Sequence, residues 1–109
     1  GEGPRMFYQA FAGIPEFAPP GQDHILYAAS VLKDVSYTKH EIAYTAVWRK
    51  GAEYFRTSFL PNRVTVDGRQ QQLTKDPLNT GYHIRKLEGG DYAVTLNRTA
   101  AGRVVIAAQ

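Results

Sequence analysis

Histidine, serine and acidic side chains are the groups in this sequence that could do chemistry. The chain holds three histidines and ten Asp or Glu residues. Its serines are Ser30, Ser36 and Ser58, and none lies in the Gly-x-Ser-x-Gly turn of a hydrolase nucleophile. Nucleophilic catalysis also needs a base and a third group that orients it, and the sequence pairs no such groups. We therefore expect a protein without catalytic residues that is not an enzyme.

Metal and cofactor sites are not indicated either. His24, His40 and His83 are far apart in sequence and lack the spacing that favours a metal. There is no cysteine, which excludes thiolate ligands and disulfides. Gly89-Gly90 precedes a strand pattern rather than a helix, so it cannot offer helix N-terminal amides to a phosphate. We predict no metal and no cofactor.

Tyrosine and arginine at alternating positions suggest a binding surface instead. In one strand-like run, Tyr54 and Arg56 alternate with apolar side chains that would face inward, and in a later run His83 and Arg85 do the same. Aromatic rings and arginines on one face can bind a sugar, an anion or a single nucleic-acid strand. The same residues also stabilise ordinary solvated sheet faces through cross-strand pairs. These four residues are our binding candidates, with a sugar or anion as the ligand.

The charge distribution adds a weak basic bias. The formal net charge is +3. Residues 1–54 carry five Lys or Arg and six Asp or Glu, a net −1, whereas residues 55–109 carry eight and four, a net +4. Basic residues attract anionic partners, but they also blunt exposed sheet edges. Single-stranded nucleic-acid binding is therefore an alternative function, and nucleic acid is the less favoured partner.

Short alternating strands are the elements that would position these side chains. Runs with a period of two, separated by Gly, Pro, Asn and Asp, are typical of an all-β sandwich or barrel. The predicted strands are Glu41–Trp48, Glu53–Leu60, Val64–Val66, Gln71–Leu73, Tyr82–Leu87, Asp91–Asn97 and Arg103–Ala108. Residues 24–33 fit both a helical and a strand pattern, and the β character downstream favours a strand.

The turn residues predict which strands pair, and the alternation of apolar residues predicts the hydrophobic core. Arg49–Ala52 is predicted to fold Glu41–Trp48 back onto Glu53–Leu60 as an antiparallel hairpin, and Asp67-Gly68 to form a type I′ turn. Trp48 is expected in the core or at the rim of one end, with a ligand platform as the alternative. The predicted core consists of Ile42, Tyr44, Phe55, Phe59, Val64, Val66, Ile84, Tyr92, Val94, Leu96, Val104 and Ile106.

At 109 residues the chain fits one domain. Residues 1–22 are rich in Pro and Gly, and we expect this segment to be partly docked, with 6–11 as an edge strand or a cover for one end of the core. Residues 23–109 form the predicted sandwich domain. No apolar run approaches the roughly 20 residues of a membrane helix, so no membrane span is predicted.

Residues 62–108 resemble the later strands of immunoglobulin-like sandwich modules of bacterial envelope and lipoprotein type. The residues involved are Val64–Gly68, Gly81–Ile84 and Gly90–Arg98. A Gly-x-Tyr-x-Val-x-Leu strand followed by Gly and a final β run is similar to the last hairpin of such domains. Tyr92 stands where the family's tyrosine corner places a Tyr, whereas Val94 replaces the second cysteine.

The resemblance implies an antiparallel, immunoglobulin-like β-sandwich of seven to eight strands. It also implies a non-enzymatic interaction or structural module in the periplasm or cell envelope, with a protein as the main partner. A five-stranded OB-type barrel is the alternative fold, and its basic face would favour oligonucleotides.

Overall fold

The computed structural model describes residues 23–28 and 31–108, and these form nine strands. The strands are β1 (His24–Ala28), β2 (Leu32–Thr38), β3 (Glu41–Ala46), β4 (Gly51–Thr57), β5 (Arg63–Val66), β6 (Arg69–Gln70), β7 (Gly81–Lys86), β8 (Tyr92–Arg98) and β9 (Gly102–Ala107). Within this described part there is no helix, so none could cross a membrane. The predicted docking of residues 1–22 lies outside the described residues.

Two antiparallel sheets pack face to face. The four-stranded sheet has the order β1-β4-β8-β7, and the five-stranded sheet has the order β2-β3-β9-β5-β6. The predicted all-β antiparallel sandwich is confirmed, and the structure has two separate sheets where the alternative fold would have one five-stranded barrel. The strands number nine rather than seven or eight, because residues 24–38 give two strands, one at the edge of each sheet.

The predicted hairpin between β3 and β4 is wrong. β3 pairs with β2 and β9 in one sheet, whereas β4 pairs with β1 and β8 in the other. The segment 47–50 therefore crosses between the sheets. The last two strands, β8 and β9, also lie in different sheets. Alternation determines which face of a strand is apolar, and a short loop joins two facing sheets as readily as two neighbouring strands.

The predicted turn at Asp67 and Gly68 is confirmed. These residues join β5 and β6, and their φ angles of 49° and 79° are those of a type I′ turn. β7 and β8 pair as a hairpin closed by residues 87–91. The predicted strand Gln71–Leu73 is wrong, because β6 ends at Gln70 and Leu73 forms only an isolated parallel bridge with Tyr82.

The core between the sheets follows the predicted alternation. Ten of the twelve predicted core residues are buried, while Ile84 and Tyr92 are partly buried and pack against them. Ala46 and Tyr82 also belong to the cluster. Trp48, in contrast, is 54% exposed, so of its two expected places the core is wrong, and the rim of one end stays a prediction.

A bulge interrupts β2 at the edge of the five-stranded sheet. The pairing of β2 with β3 shifts register between Lys33 and Ser36, and Asp34 has a φ of 51°. Arg103 Nη1 donates hydrogen bonds to the Asp34 carbonyl (2.9 Å) and to Thr45 Oγ1 (3.2 Å). The arginine thus holds the bulge against the outer face of the sheet.

Candidate functional site

The four binding candidates lie on the outer face of the four-stranded sheet. Thr95 of β8 is paired with Tyr54 of β4 on one side and with His83 of β7 on the other. The next row places Arg56 and Arg85 on either side of Ala93. Because cross-strand partners share a face, all four side chains arise from one surface.

Three of the candidates line a shallow pocket with a volume of about 240 Å³. Its walls include Tyr54, His83, Arg85, Thr95 and Pro77. An aromatic ring, an imidazole and a guanidinium around one depression can stack on a sugar ring and hydrogen-bond its hydroxyls, or bind an anion. The role of these residues in binding stays a prediction.

Arg56 differs from the expectation for an accessible ligand contact. It belongs to the same face, but it is only 4% exposed. Its Nε donates a 2.9 Å hydrogen bond to Asp91 Oδ2. The two side chains form a buried ion pair, and Asp91 belongs to the turn that precedes β8. Arg56 therefore fastens this turn to the sheet, and it is not among the pocket-lining residues.

The loop 74–80 forms one wall of the pocket and is fixed to the sheet. Asn97 Nδ2 donates hydrogen bonds to the carbonyls of Pro77 (2.7 Å) and Asn79 (3.0 Å). His83 Nδ1 lies 3.1 Å from the carbonyl oxygen of Thr74. Because a carbonyl only accepts, Nδ1 is the donor in this contact. The wall is therefore held in place without a ligand.

A second, larger cleft of about 540 Å³ also includes His83 in its lining. It runs beside β7, and the other lining residues are Leu60, Leu73, Thr74, Lys75 and Ile84. Leu60 and Leu73 are 53% and 58% exposed. This cleft is apolar, with a lysine as the charged side chain among its lining residues.

A fully buried ionic network lies inside the sandwich, and the sequence did not predict it. Arg98 makes a bidentate pair with Glu53, with Nε to Oε1 at 2.8 Å and Nη2 to Oε2 at 3.0 Å. The Tyr44 hydroxyl donates to Glu53 Oε1 at 2.7 Å. Glu53, Tyr44 and Arg98 are 0%, 0% and 1% exposed.

The remaining donors of Arg98 bind the loops that cross between the sheets. Its Nη1 donates to the carbonyls of Trp48 (2.7 Å) and Ala100 (2.9 Å). Burial, with the neighbouring Glu53 carboxylate, raises the pKa of the Tyr44 hydroxyl well above its ordinary 10.0. The network thus joins β3, β4, β8 and two of the loops that cross between the sheets, and its role is structural.

His40 and His83 belong to no metal-binding group among the side chains that the structure describes, which leave out His24. The ring of His40 packs edge-on against Phe59, with centroids 6.1 Å apart. Our prediction of no metal rests on sequence spacing and stays a prediction.

No family model, curated protein or solved structure matches this chain. The resemblance of residues 62–108 to immunoglobulin-like modules is therefore untested.

We expect removal of the Glu53 carboxylate to be strongly destabilising. Glu53→Ala leaves the Arg98 guanidinium buried without its carboxylate, which costs about 3–5 kcal/mol of unfolding free energy. The matched control is Glu41→Ala, because Glu41 forms an exposed pair with Arg63 at 3.4 Å, a type of pair worth about 0–1 kcal/mol. Urea unfolding measures both, and equal losses would contradict a structural role for the network.

Alkaline pH should weaken the contribution of Tyr44. An unfolded tyrosine ionises near pH 10, whereas burial keeps the folded Tyr44 protonated above that pH. The folded state then binds more protons than the unfolded state, so the unfolding free energy falls as pH rises. The stability gap between wild type and Tyr44→Phe should therefore shrink above about pH 10. Tyr37→Phe, at an exposed position, is the control, and a constant gap for Tyr44→Phe would contradict the prediction.

Proposed function

We propose that this domain is a non-enzymatic interaction module that binds a protein partner through an exposed apolar surface around Trp48. The observation that carries the proposal is the combination of an exposed side chain with an anchored backbone. The Trp48 side chain is accessible, while its carbonyl accepts a 2.7 Å hydrogen bond from the buried Arg98. The ionic network therefore fixes the position from which the indole projects.

Neighbouring apolar side chains extend this surface. Val47 precedes Trp48, and its backbone N–H donates a 3.1 Å hydrogen bond to the Val31 carbonyl. Val31 and Val47 are exposed like the tryptophan. We call Val31, Val47 and Trp48 the Trp48 surface. Tryptophan is enriched among the residues that dominate protein–protein binding energy, and an anchored segment loses less conformational entropy on binding.

The use of charged groups supports a non-catalytic role. Glu53 and Arg98 are bound to each other inside the core, and Arg56 is bound to Asp91. Asp67 accepts the backbone N–H of Arg103 at 2.7 Å. These contacts all stabilise the fold, so the groups best placed to do acid–base chemistry already serve the structure.

The proposal extends to the setting of the module. We propose an immunoglobulin-like module of a bacterial cell-envelope or periplasmic protein, of lipoprotein type. Two packed antiparallel sheets support the sandwich, and the resemblance of residues 62–108 supports the family and the location. Sandwich domains of this kind commonly bind other proteins through edges and end loops.

Site-specific photocrosslinking in the producing cell tests the Trp48 surface. A benzoylphenylalanine replaces Trp48 in one variant and Lys39 in a control. Lys39 is exposed in the turn between β2 and β3, at the opposite end of β3 from Trp48. We expect a discrete adduct with one protein from position 48 alone, identified by mass spectrometry. Equal labelling from both positions, or no adduct, would overturn the proposal.

A second candidate function is the binding of a sugar or anion, and the pocket of Tyr54, His83 and Arg85 favours it. A thermal-shift and glycan-array screen, with a short single-stranded oligonucleotide at low salt for the nucleic-acid alternative, tests this function. Binding through the pocket predicts a ligand-induced rise in melting temperature that Arg85→Ala abolishes. A rise that survives in Arg85→Ala, or no rise with any ligand, would reject the pocket as the site.

A further inference from the structure

The outer edge of β7 has backbone groups directed away from β8, the strand that pairs with its inner edge. Tyr82 N–H donates to the Gln72 carbonyl at 2.8 Å, and the Tyr82 carbonyl accepts the N–H of Thr74 at 2.8 Å. The backbone polar groups of Tyr82 therefore point away from β8. Because this direction alternates along a strand, the N–H and C=O groups of Ile84 and Lys86 point to the same outer edge.

This edge already accepts a strand over a short distance. Leu73 bridges Tyr82 in parallel orientation, and the chain then turns away, with Thr74 Oγ1 donating to the Asp76 carbonyl at 2.8 Å. Among residues 23–28 and 31–108, the edge of β7 beyond this bridge has no further strand. The hydrogen-bonding pattern that Leu73 begins is therefore left open at Ile84 and Lys86.

The larger cleft lies along the same stretch of β7. Ile84 lines it together with Leu60 and Leu73. An incoming strand places alternate side chains on opposite faces, so one apolar side chain would enter the cleft while its neighbours stay outside. Backbone pairing at an edge supplies affinity, and a pocket for an alternate side chain supplies specificity.

The charges beside the edge select the chemistry of the strand. Arg85 is exposed on the face of β7 opposite to Ile84, and side chains that alternate with the apolar ones of an incoming strand lie on that face. Acidic side chains there would lie near the Arg85 guanidinium, whereas basic ones would be repelled. A second copy of β7 would bring arginine to arginine, which disfavours pairing between two identical edges.

We propose that the β7 edge, defined as the outer edge at Ile84 and Lys86 with the adjoining cleft, binds an extended segment of another protein that alternates apolar and acidic residues. The segment adds a fifth strand to the four-stranded sheet. This inference rests on the proposed interaction function, but it concerns a surface distinct from the Trp48 surface.

The test uses the full chain and a fluorescein-labelled heptapeptide of alternating valine and glutamate, followed by fluorescence anisotropy. Lys86→Pro removes the outward N–H and the ammonium group, whereas Lys86→Ala removes the ammonium group alone. Proline is tolerated where an edge N–H faces solvent, so the β7–β8 pairing should persist in both variants. We expect Lys86→Pro to bind about tenfold more weakly than Lys86→Ala, the effect of one lost hydrogen bond.

Two further comparisons examine the cleft and the charge. Leu73→Glu should weaken peptide binding about tenfold, while Leu78→Glu, in the same loop but not in the cleft lining, should not. A valine–lysine peptide should not bind. Absence of binding at about 1 mM valine–glutamate peptide, equal affinities of the two Lys86 variants, or peptide-independent dimerisation that masks the edge would each overturn the proposal.

Trp48→Ala separates this proposal from the proposed function. We expect this variant to retain the peptide affinity of the wild type, since Trp48 does not line the cleft. A failed crosslink at position 48 with intact peptide binding would reject the Trp48 surface alone. A discrete crosslink from position 48 together with absent peptide binding would reject the β7 edge alone.

Discussion

The sandwich depends on the ion pair between Glu53 and Arg98. Two unit charges removed completely from water carry a large desolvation cost, which only near-complete hydrogen bonding can offset. Here the carboxylate accepts from Arg98 and Tyr44, and the guanidinium also reaches two backbone carbonyls. The partners come from both sheets and from two of the loops that cross between them.

This network also restricts the register of the strands. A slip of one residue in β4 would turn Glu53 to the outer face and leave Arg98 buried without a carboxylate. Gly51 lies beside the pair, and an added Cβ there would stand 2.6 Å from Arg98 Nη2. The guanidinium therefore occupies space that a larger residue at the start of β4 would need. Apolar packing alone would tolerate more alternatives than this arrangement does.

The alternation of apolar residues predicts most of the strands and most of the core, because burial on one face imposes a period of two. It does not predict β6 or the division of residues 24–38 into two strands. It could not predict which sheet a strand joins: β3 and β4 have the same pattern as a hairpin, yet they lie in opposite sheets.

The alternation of side chains along β4 could have identified Glu53 as inward-facing, because it lies two residues before the inward Phe55 and shares its face. The partner of Glu53 is 45 residues away in sequence, and no local pattern indicates such a pair. Likewise, the outward direction of Arg56 follows from alternation, but its ion pair with Asp91 joins it to a turn 35 residues away in sequence.

The bulge in β2 has a consequence for the solubility of the protein. Fibrillar aggregates grow when flat sheet edges of successive molecules stack without interruption. In the five-stranded sheet, one edge is kinked at Asp34 and held by Arg103, and the other ends in a strand of two residues. Neither edge offers a long flat template, so this sheet gives little basis for edge-to-edge stacking of molecules.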